Sequence, residues 1–434
     1  MTYHKRMKFL IPLCVIILLM ISFFPVLGED ASPSLEGNTI EESSAFEEVY
    51  SDEEVFSEES PLEEVPPEEE VDLSEYVYPP GDGLLDPYAQ AAALGKGINF
   101  GNLMEAKPNE GAWSNGIVIT EAQFDLAKSA GFDSVRIPIR FSGHAKSKAP
   151  YTIDKTFMKR VDKVVGWGLS KGLRVVVDLH HYDELHQKPS AHEERYIELW
   201  KQIAAYFRSY PDEVYYELLN EPSQNLDVYT WNGIFTECLR EIRKIDNHHT
   251  VIIGSVNYCD IAGLKNLRIP VEETNAIVTF HYYNPSLFCF QGLDAVMGSD
   301  WANTGIKWPG PPATKLIPKG NLSAWASNWF INYNTITNPD MNPAGPGIIV
   351  REIQQAADWG AQNKRPLWMS EFTAQDGADM TSRISWISFV RKELEKHKIP
   401  WSFWTLVSDM HSHIYDLKSG KWSKPLTDAL GLEI

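Results

Sequence analysis

The chain has 434 residues, of which 43% are hydrophobic, and a formal net charge of −20 at pH 7, a balance that excludes a small disulfide-stabilised domain and gives no reason to expect a nucleic-acid partner. This length accommodates two or three average domains, or one large barrel with appendages. Cys238, Cys259 and Cys289 fit no zinc-binding spacing, so we predict buried thiols with at most one disulfide.

The first 28 residues have the pattern of a secretory signal. Three cations precede an apolar run from Phe9 through Val26, and small residues follow at Gly28 and Ala31. This pattern is typical of a cleaved signal peptide over residues 1–28, and the run is also long enough for an uncleaved membrane anchor. We therefore expect a secreted protein, with a membrane or cell-surface tether through the N-terminus as the alternative.

A strongly acidic segment follows. Residues 29–75 contain 19 Asp and Glu and no Lys or Arg, in near-repeats such as EEVYSDEEVFSEES and PLEEVPPEEE. Such a segment repels itself and buries too little apolar area to offset its ordering entropy, so we predict a disordered linker over residues 29–83. Without this segment and the three cations of the signal, the remaining chain carries a formal charge of only −4. From this charge distribution we expect the protein to be a monomer.

From residue 84 onward, short apolar runs alternate with amphipathic segments. The sequence predicts eight strands: GKGINFGN from Gly95, SVRIPI from Ser134, RVVVDLHH from Arg174, VYYELLNE from Val214, TVIIGSV from Thr250, AIVTFHYY from Ala276, PLWMSEF from Pro366 and WSFWTLV from Trp401. Asp154 is placed to cap a helix that ends near Gly172, and two further helical patterns precede the fourth and eighth strands. Eight such units predict a (β/α)8 TIM barrel over residues 84–434.

Polar side chains collect at the carboxyl ends of these predicted strands, which form the active-site face of such a barrel. In YYELLNEPSQNL, for example, the apolar run stops at Pro222, which cannot donate to a strand ladder, and delivers Asn220 and Glu221 to the sheet edge. The polar residues at the strand ends are Asn102, Glu105, Arg136, His180, His181, Asn220, Glu221, His281, Tyr283, Glu371 and Trp404. Two glutamates among Arg, His, Tyr and Trp side chains suit the hydrolysis of a sugar.

Several motifs, in their order along the chain, resemble glycoside hydrolase family 5, the cellulase and mannanase family of clan A. These motifs are GINFGNLMEA, GFDSVRIPIRF, VVDLHHYDEL, ELLNEP, TFHYYNP, WMSEF and WSFWTL. The resemblance runs from about Leu94 to the C-terminus, and the combination of NEP with a second Glu after the seventh strand is specific. Bacterial endoglucanases of this family that also accept mannan are the most similar members.

The resemblance implies a retaining mechanism with Glu221 as acid/base and Glu371 as nucleophile, two carboxyl groups that should lie roughly 5 Å apart. It also implies that Asn220 binds the sugar 2-hydroxyl, and that Arg136 and Tyr283 orient the nucleophile and lower its pKa. The proximity of this carboxylate should raise the pKa of Glu221. The remaining matched residues would line the sugar-binding cleft: Asn102, Glu105, His180, His181, His281 and Trp404.

Three features depart from the family pattern. Thr373 follows the nucleophile in SEFT, and Phe290 occupies the place of a substrate-contacting His. Residues 311–343 form an insertion after the sixth strand, with four tryptophans in or near it: Trp301, Trp308, Trp325 and Trp329. These tryptophans either extend the cleft or pack a small core of the insertion, and the sequence leaves both open.

The leading prediction is a secreted endo-β-1,4-glucanase that needs no cofactor or metal and acts on a polysaccharide. Because glucose and mannose differ only at the 2-hydroxyl, a β-mannanase or a dual glucan and glucomannan hydrolase is the alternative. A non-catalytic polysaccharide-binding barrel and a metal-dependent hydrolase that uses His180, His181 and His281 are the alternatives from other classes. Glu217 lies within a predicted strand, where its carboxylate has a structural use.

Overall fold

The computed structural model of the protein describes residues 85–408 and 412–434. The predicted signal peptide at 1–28 and the predicted linker at 29–83 lie outside these residues, so both remain predictions. Among the helices of the described ranges, none combines the length and the apolar character that a membrane crossing requires.

Eight parallel strands close into a barrel in chain order, each paired with the next and the last paired with the first. The strands are β1 Lys96–Asn99, β2 Ser134–Ile139, β3 Arg174–Leu179, β4 Val214–Glu217, β5 Val251–Gly254, β6 Ala276–Tyr282, β7 Leu367–Phe372 and β8 Trp401–Phe403. Each of them lies within one of the eight apolar runs of the sequence, so the predicted (β/α)8 TIM barrel is confirmed. A two-stranded hairpin of β9 Tyr415–Asp416 and β10 Lys421–Trp422 follows.

Helices surround the barrel. In the described ranges they are α1 Pro87–Leu94, α2 Glu121–Ser129, α3 Lys155–Ser170, α4 Asp183–Gln187, α5 Pro189–Phe207, α6 Val228–Ile245, α7 Val256–Cys259, α8 Ser286–Cys289, α9 Asp294–Met297, α10 Ala324–Thr335, α11 Pro346–Asn363, α12 Met380–Lys396 and α13 Lys424–Ala429. Short 3-10 turns lie at Phe141–His144, Ile261–Asn266 and Ser299–Ala302. The Asp154 carboxylate accepts from the backbone N–H of Phe157 at 2.8 Å, which confirms the predicted cap of α3.

The barrel interior is apolar at its amino end and polar above it. At the amino end lies an inner apolar cluster, which Ala91 and Leu94 of α1 cover from below. Its members on the strands are Val176, Tyr215, Ile252, Ile277 and Trp368. Because side chains of a strand alternate between its two faces, residues two positions further along point into the same interior, one layer higher. This alternation places Asp178 and Glu217 inside the barrel, directly below the active-site face.

The tryptophans in and near the insertion after β6 pack in the hydrophobic core of the protein. Trp301, Trp308 and Trp329 are all buried, and Trp301 lies 6.0 Å from the half-buried Trp325, measured between ring centroids. Trp329 stacks on Tyr333 of α10 at 5.0 Å. The structure therefore supports the packing interpretation of these tryptophans. The three cysteines at positions 238, 259 and 289 are buried and unpaired, within the range predicted.

Candidate active site

Arg136 lies at the centre of the polar layer with no exposed surface. Its Nη1 donates to Glu371 Oε1 at 2.6 Å, and its Nη2 donates to Asn220 Oδ1 at 2.9 Å. Since the Asn220 oxygen is occupied, its Nδ2 amide is the group left to meet a sugar hydroxyl. Arg136 thus orients both the predicted nucleophile and the residue predicted to bind the 2-hydroxyl.

Glu221 and Glu371 face each other across the barrel mouth. One carboxylate oxygen of each and a ring nitrogen of His281 all lie within 4.8 Å of one another. An irregularity in the pairing of β6 with β7 aligns His281 directly with Glu371. The two carboxyl groups are therefore close enough for the retaining geometry of about 5 Å and too close for the 6.5–9.5 Å that an inverting pair typically shows.

The two carboxylates have different partners. Glu371 accepts from the cationic Arg136 and from the Tyr283 hydroxyl at 2.8 Å. Among the described residues, Glu221 pairs with His281 Nδ1 at 2.9 Å, a nitrogen that also lies 3.6 Å from Glu371 Oε2. The Glu221 side chain is 28% exposed, against 6% for Glu371. A cation and a hydroxyl donor stabilise the charged form of Glu371, whereas Glu221 has a neutral partner and an opening to solvent. The proton of the pair therefore belongs on Glu221.

Burial dominates the protonation of both groups. It raises the pKa of Glu221 to about 7, and Arg136 acts against this rise. Burial also raises the pKa of Glu371, while His281, Arg136 and Tyr283 lower it. The prediction of a lowered pKa for Glu371 was therefore wrong in its net direction, because loss of hydration outweighs the donors. The rise predicted for Glu221 is present, with burial rather than the neighbouring carboxylate as its main cause.

His180 and Trp404 form one wall of the cleft. Their rings are nearly parallel, with centroids 6.1 Å apart. The Asp178 carboxylate contacts His180 Nδ1 at 2.5 Å and fixes the orientation of the imidazole. The Trp404 indole lies against the backbone of Gly101, where a Cβ would come within 2.4 Å of the ring. This close approach requires glycine at position 101.

The loop after β1 carries the predicted Asn102 and Glu105. Asn102 has a left-handed backbone conformation with φ 65°, and its Nδ2 reaches Ser408 Oγ at 3.4 Å. Glu105 is fully buried and accepts from the backbone N–H groups of Asn102 and Leu103. Burial raises the pKa of Glu105 to about 8. The structure therefore places Glu105 under the loop as its support, while Asn102 stands at the cleft.

His181 lies half-exposed beside this loop and packs edge to face on His180, at 4.4 Å between ring centroids. Its other neighbour is Trp113, at 5.4 Å, which also lies under the Arg140 guanidinium. The sequence analysis did not identify Trp113, because it lies in a loop without strand or helix periodicity. Its contact with His181 extends the aromatic rim of the cleft.

Residues 93–409 match the model of the cellulase family, glycosyl hydrolase family 5. The chain belongs to this family. The family prediction is therefore confirmed, and with it the assignment of the barrel as that of a glycoside hydrolase.

The chain is similar to proteins named endoglucanase. Endoglucanase H of Acetivibrio thermocellus is 31% identical over 320 residues, which cover 74% of this chain and 30% of that protein. The chain therefore spans less than a third of that relative's length. Two structures of Thermotoga maritima Cel5A, one in complex with cellobiose and one with mannotriose, each show 40% identity and a TM-score of 0.69, and the match covers 80% of this chain and 100% of theirs.

The departures from the family 5 pattern have local explanations. Thr373 is fully buried, and its hydroxyl donates to the backbone oxygen of Ala374 at 3.4 Å. Phe290 packs against Tyr283 with ring centroids 4.8 Å apart. It therefore contacts the tyrosine that donates to the nucleophile and presents an apolar edge where the family has a histidine.

We expect the activity of this family 5 enzyme to fall as pH rises through about 7. The acid/base must be protonated to release the leaving group, and the pKa of Glu221 is raised to about 7 by burial. Above this pH, kcat/KM should fall about tenfold per pH unit. A pH profile on soluble β-glucan measures this limb. If the residual activity of Glu221→Gln falls over the same pH range, a group other than Glu221 sets this limb.

Gly101→Ala should weaken catalysis by tilting Trp404. The added Cβ would collide with the indole, and a misplacement of about 1 Å in a substrate-holding group costs roughly 10²-fold in kcat/KM. Initial rates on a soluble β-glucan measure the effect. Gly233→Ala in α6, where a Cβ meets no neighbour, is the matched control and should leave the rate unchanged. Equal rates for both variants would contradict the role of Gly101.

Proposed function

We propose that this protein is a secreted endo-β-1,4-glucanase that cleaves internal bonds of β-glucans by a retaining double displacement. One observation carries the proposal: a carboxylate oxygen of Glu221 lies within 4.8 Å of one of Glu371 in a family 5 barrel. The names of the endoglucanase relatives support glucan as the substrate.

In the first step, the Glu371 carboxylate attacks the anomeric carbon while Glu221 gives its proton to the leaving glycosidic oxygen. This breaks the glycosidic bond and leaves the sugar covalently bound to Glu371. Glu221, now ionised, then takes a proton from water, which attacks the same carbon and releases Glu371. Asn220, held by Arg136, donates to the 2-hydroxyl most strongly in the transition state. His281, whose pKa burial lowers to about 4, stays neutral beside Glu221 throughout.

A dual activity on glucan and glucomannan is the second candidate. It is favoured by the relative that has been crystallised with both cellobiose and mannotriose, at 40% identity. The 2-hydroxyl distinguishes the two sugars, and Asn220 is the amide proposed to meet it.

Release of reducing sugar tests the proposal. The purified protein should act on carboxymethyl cellulose, barley β-glucan and glucomannan, and the relative rates rank glucan against mannan. A rapid fall in viscosity at low sugar release indicates cleavage at internal bonds. A folded protein that releases sugar from none of these polymers would contradict the proposed activity and favour a binding role.

Chelation separates this mechanism from a metal-dependent one. In the described ranges, Glu221, His281 and Glu371 are the cluster of side chains that could hold a metal ion. Both carboxylates of this cluster are the predicted catalytic groups. We expect activity to be unchanged by a chelator such as EDTA, and a loss that zinc restores would favour the metal-dependent hydrolase.

A further inference from the structure

The polar layer below the catalytic glutamates holds one cation and several acids. Arg136 is within 2.9 Å of Asp178 and 2.6 Å of both Glu217 and Glu371, measured between guanidinium nitrogens and carboxylate oxygens. Asp178 and Glu217 have no exposed surface. One positive charge cannot balance three buried carboxylates, so this cluster must retain a proton. The way Arg136 is shared among the three acids therefore decides how the site is charged.

Of the three acids, Glu217 makes the most hydrogen bonds to Arg136. It accepts from Nε at 2.6 Å and from Nη2 at 3.0 Å, the bidentate geometry that fixes both the position and the plane of a guanidinium. The register of the barrel builds this contact, because Glu217 on β4 pairs with Asp178 on β3 and both point inward.

The other donors of Arg136 are then aimed at the site. Nη1 donates to Glu371 at 2.6 Å and to Asn99 at 3.1 Å, and the second hydrogen of Nη2 goes to Asn220 at 2.9 Å. All five N–H groups of the guanidinium are used, two of them by Glu217. If the guanidinium turned in its plane, Nη1 would leave the nucleophile and Nη2 would leave Asn220.

We propose that Glu217 is a positioning residue of the hydrolytic reaction. It fixes the edge of Arg136 and, through that guanidinium, the orientation of the nucleophile Glu371 and of the amide of Asn220. This inference rests on the proposed glycosidase function and deepens it. Glu217 touches no substrate and takes no proton from it.

Glu217→Gln tests the proposal. The variant keeps one acceptor and sets an NH2 group against an N–H of Arg136, so the guanidinium must turn. We expect kcat to fall roughly 10²-fold with a smaller change in KM, because small misplacements of a reacting group cost about that much. The loss should be equally large on dinitrophenyl cellobioside, whose leaving group needs no acid, since the nucleophile itself is misplaced.

The pH profile separates positioning from folding. In Glu217→Gln the turned guanidinium no longer donates to Glu371, so the acid limb that Glu371 sets should move to higher pH. A variant that is only less stable would lose activity in proportion to its folded fraction and keep its limbs in place. If the unsubstituted protein hydrolyses the aryl cellobioside but none of the polymers, the proposed polysaccharide activity is wrong. The comparison of Glu217→Gln with the unsubstituted protein on the aryl cellobioside still tests the role of Glu217.

Glu273→Gln is the matched control. Glu273 makes the same bidentate contact with Arg243, at 2.8 and 3.0 Å, on the outer part of the barrel. Its loss should lower the melting temperature and leave kcat and the pH profile unchanged. If Glu217→Gln behaves in the same way, the proposal is wrong.

If Glu217→Gln does not fold, a double-mutant cycle tests the positioning role of Glu217 instead. The double variant Arg136→Gln and Glu217→Gln removes one acid together with the cation, so the interior has one uncompensated carboxylate fewer than in Arg136→Gln alone. If Glu217 acts only through Arg136, the double variant should be no less active on the aryl cellobioside than Arg136→Gln alone. A further tenfold loss would show an independent role and overturn the proposal.

Discussion

Glu371→Gln should abolish hydrolysis, with a loss on the order of 10⁴-fold or more in kcat on every substrate. The amide keeps the size of the side chain but cannot attack the anomeric carbon, so the covalent route is closed. Arg136 and Tyr283 would then face a neutral group instead of the charge they stabilise. Initial rates on soluble β-glucan and on dinitrophenyl cellobioside measure this loss.

Glu352→Gln is the control for this variant. Glu352 also accepts from a tyrosine hydroxyl, that of Tyr282 at 2.6 Å, but it lies on α11 outside the barrel. It should retain full activity. Trapping with an activated 2-deoxy-2-fluoro-cellobioside should add the mass of one 2-deoxy-2-fluoro-cellobiosyl group to the peptide that contains Glu371. A label on another peptide would contradict the assignment of the nucleophile.

Glu221→Ala should show a loss that depends on the leaving group. On β-glucan, removal of the general acid should cost about 10²–10⁴-fold. On dinitrophenyl cellobioside the first step needs no acid, so a burst of phenolate should precede a slow steady state in which the glycosyl enzyme accumulates. Stopped-flow absorbance measures both phases. Equal losses of kcat/KM on β-glucan and on the aryl cellobioside would contradict the acid/base role of Glu221.

Azide provides the second test of Glu221. A small anion can attack the accumulated intermediate without a general base, so azide should restore turnover of the aryl cellobioside in Glu221→Ala. Two displacements at the anomeric carbon give a product of retained, β configuration. An α-glycosyl azide would contradict the double displacement, and His281→Ala, which keeps Glu221, should show no such rescue.

The predicted strands and the observed ones agree because barrel strands are buried on both faces. Such strands are nearly continuous apolar runs of four to eight residues, and helices with a cap such as Asp154 separate them. The ends of the runs locate the active-site face, since parallel strands all deliver their carboxyl ends to one side. Glu221 and Glu371 were found in this way, and their separation agrees with the role implied by the family resemblance.

The sequence predicted the pKa of Glu371 less well than its position. Opposite charges were correctly expected near Glu371, but the cost of burial could not be weighed without the surrounding packing. The burial of Glu105 against the backbone N–H groups of Asn102 and Leu103 was likewise not apparent from its position after β1. Trp113 carried no periodic signal at all, and only its contact with His181 brings it to the cleft.

The sequence by itself determined the barrel, the order of its strands and the two glutamates at its mouth. These follow from local patterns: apolar runs, caps and the polar residues that end each run. The tertiary structure alone decided which residues share Arg136, which of the glutamates keeps its proton, and whether the tryptophans of the insertion face the cleft or a core. Those properties depend on distances between strands that are far apart in the chain, and hydration and charge act through such distances rather than through sequence spacing.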